Sequence, residues 1–217
     1  DNNRHLLVDG GGGSEILARL EKAEIDWHDI KDIFVTHKHI DHLLGIIWMM
    51  RMICQHMREG TYEGEATIYA HDEVIALLRD LAGKLLQKKE LPFLDSRLHL
   101  IAVADGEEKT ILGRKTTFFD IGSTKAKQYG FCMELGLLYT HLTLLHGQAD
   151  LFPPYEKHPP TVKDAAELAE SLGVKNLLLY HTEDKNIARR KELYTAEGRQ
   201  YFHGNLFVPE DLEVIEL

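Results

Sequence analysis

Three histidines and an aspartate stand within six positions: His37, His39, Asp41 and His42, in the run Phe34-Val35-Thr36-His37-Lys38-His39-Ile40-Asp41-His42-Leu43-Leu44-Gly45. Imidazole nitrogens and carboxylate oxygens are donors for zinc, and also for manganese or iron. Extending a strand through the cluster would put Ile33, Val35, His37 and His39 on one side. Two histidines two apart can then reach one ion. Asp41 and His42 come where the chain turns toward a helix and can address the same ion or a second beside it. Asp41 is also a favoured helix N-cap, a bland role that leaves three histidines unexplained. With two ions the expected chemistry is hydrolysis by a metal-activated water, with a nearby carboxylate to orient it or carry its proton.

The elements around the cluster are readable. His5 to Val8 is a predicted strand, and Gly10 to Gly13 a turn that can take any backbone angle. Gly10 to Gly13 is no phosphate loop, since no Gly-Lys-Ser/Thr follows. Ser14 is expected to cap a helix carrying Ile16, Leu17, Leu20 and Ala23. Residues 32–36 are the next strand, and 42–58 a helix ended near Gly60. Its Trp48, Met49, Met50, Met52 and Met57 are expected to pack in the core. Ala66 to Ala70 is a strand, and Asp72 to Lys88 a helix before Pro92. Leu98 to Val103, Lys115 to Ile121 and Tyr129 to Leu135 are predicted strands. Residues 136–160 carry four prolines and no clear period. Thr161-Val162-Lys163-Asp164 opens a helix with a capping-box pattern, ending at Gly173. Asn176 to Tyr180 is a strand, Lys185 to Glu197 a helix, and Leu206 to Val208 and Leu212 to Ile215 closing strands. The expectation is one α/β domain over residues 1–217, with layered sheets and helices outside.

Composition narrows the function. The formal charge of −10 disfavours charge-driven nucleic-acid binding, which needs Lys and Arg against phosphates. No apolar run reaches membrane-spanning length. Two cysteines, Cys54 and Cys132, make no disulfide framework and read as buried small hydrophobes in a reducing, cytoplasmic setting.

His-x-His-x-Asp-His after a strand and opening a helix resembles the signature of the metallo-β-lactamase superfamily. The order strand, Asp9-Gly10-Gly11, helix, strand, His37 to Gly45 extends the likeness. Gln128-Tyr129-Gly130-Phe131 and the strand ending at His181 are similar to the ribonuclease Z-like branch. The resemblance implies a four-layer αββα sandwich, here lacking parts of the usual fold. It implies His37 and His39 on a first metal, and Asp41, His42 and His181 on a second, with zinc (Zn2+) the first choice of ion. Asp41 would position the water, His158 would serve as proton donor, and Asp9 would steady the loop from behind. The implied substrate is a small-molecule or nucleic-acid phosphodiester or related ester. A carboxylic ester, thioester or lactone on the same fold is the alternative, and a degenerate metal-binding member the non-catalytic one. Transfer RNA is opposed by the acidic charge and by the absence of a long basic, glycine-rich arm between Leu44 and Ile68. A homodimer is compatible with all of these.

The chain departs from the family pattern in three places. Lys125 and Gln128 stand where a third histidine is expected. No Gly-Asp occurs between Leu135 and Thr161, where an aspartate should bridge the metals; His141, His146 and Asp150 are the ligand types there. His158-Pro159-Pro160-Thr161 replaces a His-Ser-Thr triplet.

Overall fold

The computed structural model describes residues 4–123, 126–134, 137–141, 161–180 and 184–216. Two compact units form: Asp1–Asp105 with Thr110–Gly113, and Gly106–Lys109 with Arg114–Leu217.

The first unit is built on four parallel strands, in the order β1 (His5–Val8), β2 (Ile30–Val35), β3 (Ala66–Ala70) and β4 (Leu98–Ala102). Parallel neighbours need long crossovers. α1 (Glu15–Lys22), α2 (Ile40–Glu59) and α3 (Asp72–Leu85) lie in the three connections. Ile33 and Val35 of β2 and Ile68 and Ala70 of β3 share one core with Leu43, Ile46, Met49, Met50, Ile53 and Met57 of α2. Full burial of each larger side chain contributes roughly 1.5–3 kcal/mol. The alternate positions, Phe34 and Tyr69, are buried outside that core. Gly60, at φ +77°, stops α2 with a left-handed residue that glycine adopts without strain.

The expectations hold here with corrections. Met49, Met50 and Met57 pack as expected, but Met52 is half-buried and Trp48 is exposed, with the Arg51 guanidinium 5.7 Å over its ring. Ser14 precedes α1 in helical conformation, and its side chain makes no capping bond. α3 ends at Leu85, before Lys88, and Pro92 sits in a separate 3-10 turn over Leu91–Phe93. Cys54 lies in the core, where burial pushes its thiol up to about 12, and neither cysteine forms a disulfide.

The second unit holds a six-stranded sheet in the order β10-β9-β8-β7-β6-β5. The strands are β5 (Glu108–Ile111), β6 (Arg114–Asp120), β7 (Tyr129–Met133), β8 (Leu137–His141), β9 (Asn176–Tyr180) and β10 (Asn205–Phe207). β6, β7 and β8 run antiparallel to one another in turn, whereas β8, β9 and β10 are parallel. α4 (Val162–Ser171) packs Val162, Ala165, Ala166 and Ala169 with Leu177, Leu179, Tyr194 and Phe202. The helix expected over 185–197 is instead a 3-10 segment, Asp184–Arg189, followed by α5 (Arg190–Gly198). Arg189, at φ −129°, ends the first and is the N-cap of the second. The expected strand at 212–215 does not form: Leu212 turns the chain at φ +64°. No helix of the described residues is long and apolar enough to cross a membrane.

Candidate metal centre

β2 stops at Val35, so the strand parity drawn through His37 and His39 does not apply. Thr36, His37 and Lys38 form a short exit, and His39 takes the N-cap position of α2 in extended conformation. The turn itself brings the two histidines together. Nε2 of His37 lies 2.9 Å from Nδ1 of His39. The ring of His42, one helical turn into α2, stands 4.1 Å from that of His37. Asp41 is not the cap; it lies in the first turn of α2 with a side chain 56% exposed, its carboxylate 3.5 Å from His42 Nε2. A helix N-terminus favours negative charge there.

Asp9 ties this loop down. It directly follows β1, with its backbone N–H donating to the Phe34 carbonyl (2.9 Å) and φ at +56°, a left-handed conformation that aspartate tolerates better than most residues. Its Oδ1 accepts from the Thr36 backbone N–H at 2.8 Å. Its Oδ2 accepts from the Thr36 hydroxyl at 2.8 Å and from His42 Nδ1 at 2.7 Å. All three residues are buried. A buried carboxylate requires such donors, and three of them satisfy most of its acceptor capacity.

Two glycines permit this approach. Gly10 N–H donates to the His42 carbonyl at 2.7 Å, and Gly45 N–H to the Gly11 carbonyl at 3.0 Å. A Cβ on Gly45 would fall on the Gly10 carbonyl group, and one on Gly10 would run into the backbone at Gly45 and Ile46. The turn after β1 is therefore clamped against the first turns of α2.

Two further residues, outside the His-x-His-x-Asp-His motif, join the site. Thr36, by sequence the last residue of a strand, lies just past the end of β2, and its hydroxyl bridges Asp9 and His37. His71 is fully buried at the exit of β3, one residue past the pair Val35↔Ala70. Its Nδ1 lies 3.6 Å from Asp72. The cue was present: Tyr69-Ala70-His71-Asp72 repeats the pattern of a strand running into a histidine and then a helix.

The remaining candidates divide. His158 and His181 lie outside the described residues, as do Lys125, His146 and Asp150. Gln128 is buried, its carbonyl accepting from Ile121 N–H at 3.1 Å. β8 occupies the interval where a strand ending in Gly-Asp was expected. It ends at His141, opposite Tyr180 of β9, and no aspartate follows before Asp150.

The donors fit a divalent ion in kind. Two nitrogens each about 2.1 Å from one tetrahedral ion stand about 3.4 Å apart, so this 2.9 Å pair would open by about half an ångström to share one. The set is incomplete among the described residues, where no group of three or more His, Cys, Asp or Glu is arranged to hold a metal.

The family model described as anti-Pycsar protein Apyc1 matches residues 1–151. No curated protein matches significantly by sequence. Among solved structures, the metallo-β-lactamase fold protein YhfI from Bacillus subtilis aligns with TM-score 0.68 and 18% identity, over 97% of this chain and 87% of that one. The short form of human tRNase Z, ELAC1, aligns with TM-score 0.64 and 16% identity, over 100% and 89%. A diphosphatase from the PhnP family aligns with TM-score 0.55 and 17% identity, over 83% and 69%. The fold is thus that of the metallo-β-lactamase superfamily, as the motif implied.

Proposed function

The chain belongs to the family of anti-Pycsar protein Apyc1, and from that premise we propose that it is a metal-dependent hydrolase of phosphodiesters or related esters. The observation that carries the reading is the paired imidazoles of His37 and His39, 2.9 Å apart on a loop held by Asp9. His37 and His39 would hold a first ion, and Asp41, His42 and His181 a second, with zinc preferred over manganese or iron. What such ions supply when bound is activation of water near neutral pH and neutralisation of charge developing on the substrate.

The chain's own groups divide the remaining work. Asp41, exposed at the start of α2, orients water and receives its proton. His42, fixed through Nδ1 by Asp9, keeps its ring aligned without a mobile side chain. His158 donates a proton to the leaving oxygen. Residues 1–217 act together as one hydrolase domain. The diphosphatase and tRNase Z likenesses favour a phosphorus ester over a carboxylic ester, thioester or lactone. The charge of −10 favours a small substrate over transfer RNA.

One observation favours a second reading. β8 ends without the bridging aspartate, which suits a degenerate member that binds metal and does not turn over. Metal content of protein purified without chelator, with hydrolysis of a generic aryl phosphodiester, separates the two. Two ions per chain and activity abolished by Asp41→Ala support the hydrolase. One ion without hydrolysis leaves the binding reading in its place, and no ion with no hydrolysis overturns both.

A further inference from the structure

We propose that Thr36 is a positioning residue that sets the tautomer of His37, so that one carboxylate, Asp9, fixes two imidazoles at once. The proposal rests on reading His37 and His42 as metal-holding residues. It follows from counting protons. An ionised carboxylate only accepts hydrogen bonds. Asp9 Oδ2 lies 2.8 Å from Thr36 Oγ1, so the hydroxyl spends its single proton there. The same Oγ1 lies 2.9 Å from His37 Nδ1. With no second proton to give, Oγ1 accepts, and Nδ1 carries the hydrogen. In the neutral ring the lone pair then sits on Nε2, the atom that faces His39. His42 is set directly, since its Nδ1 donates to Asp9 and its lone pair falls on Nε2.

The arrangement around Thr36 leaves the hydroxyl little choice. Its own backbone N–H is held by Asp9 Oδ1, and a β-branched side chain has few χ1 wells. Thr36 is 1% exposed and Asp9 3%, so bulk water does not compete for either group. A second consequence concerns His39. If His37 Nε2 is the acceptor of the 2.9 Å contact, His39 Nδ1 carries the hydrogen between them. Taking up an ion at this pair must move that hydrogen off His39 Nδ1, whereas His37 keeps its tautomer.

Long-range proton–nitrogen correlation spectra of histidine-labelled protein, recorded without metal and after zinc addition, test this. The expected result is Nδ1–H at His37 in both states and loss of Nδ1–H at His39 on zinc addition. Thr36→Ser should keep the His37 tautomer. Thr36→Val should lose it and weaken zinc binding, measured by competition with a chromophoric chelator, by about 10–100-fold. An Nε2–H signature at His37 in the wild type overturns the proposal whether or not Thr36→Val folds. So does a Thr36→Val protein with tautomer and affinity unchanged. Wild-type protein with Nδ1–H at His37 that takes up no zinc sinks the metal reading and leaves the relay standing.

Discussion

Two helices of this chain begin in opposite ways. α4 starts with a full capping box: Thr161 Oγ1 accepts from Asp164 N–H at 3.2 Å, and the Asp164 carboxylate accepts from Thr161 N–H at 2.8 Å. α2 starts at His39, whose side chain caps nothing and reaches back to His37 instead. The side chains at the first start serve the helix. Those at the second are withheld from it, and the backbone clamp of Gly10 and Gly45 holds the helix end in their place. A preference for Ser, Thr, Asp or Asn at this position is worth about 1 kcal/mol, so forgoing it is a cost borne at the candidate site.

The sharpest way to break this contrast is Gly45→Ala. Its methyl group collides with the Gly10 carbonyl, and stability should fall by about 1–3 kcal/mol in urea unfolding, with loss of zinc uptake. Unchanged unfolding would mean the clamp yields freely and positions nothing. Thr161→Ala should cost about 0.5–2 kcal/mol and leave zinc uptake as it was. His39→Ser should do the reverse. A conventional cap would raise stability by up to about 1 kcal/mol while zinc binding weakens. Equal effects of the two substitutions on zinc binding would erase the distinction.

The smallest effect belongs to a third start. Asp26 precedes a 3-10 turn, Trp27–Asp29, and accepts from His28 N–H at 2.9 Å. That backbone bond, then the His28 side chain, holds the Asp26 carboxyl below its ordinary value. A depressed carboxylate adds stability above the unfolded pKa and loses it as pH falls through the folded one. Acid unfolding of Asp26→Asn should therefore lack a shallow component below about pH 4, visible against the wild type. Asp26 is exposed, so a large difference would point to a different group.

Much of the fold was legible because local signals agreed with the packing. β1, β3 and β9 fall where apolar runs between turn residues put them, and the Thr161 capping box forms as written. What failed did so for identifiable reasons. β5 reads Glu-Lys-Thr-Ile, a polar stretch that becomes a strand only by pairing with β6. The two-residue turn between them places Leu112 at φ +52° and Gly113 at φ +73°, and leucine gives no warning of such a turn. β8 pairs on one side with β7 nearby, but on the other with β9, 39 positions away at Leu137↔Asn176, a pairing no local window shows. At the site, residue types revealed the ligand loop, but not how His37 and His39 meet. That depends on where β2 stops. Thr36 escaped because its hydroxyl is engaged by Asp9, 27 positions earlier, whereas the pattern that marks His71 was local and visible.

The clamp also has a consequence in time. Its parts, Asp9, Gly10, Thr36, His42 and Gly45, fall within fewer than forty consecutive residues. Synthesis runs from the N-terminus, and early segments fold first. The turn, strand exit and helix start that hold the histidines can therefore close on the ribosome before the strands from β5 onward have been made. The emerging chain would meet its later partners with the loop already set.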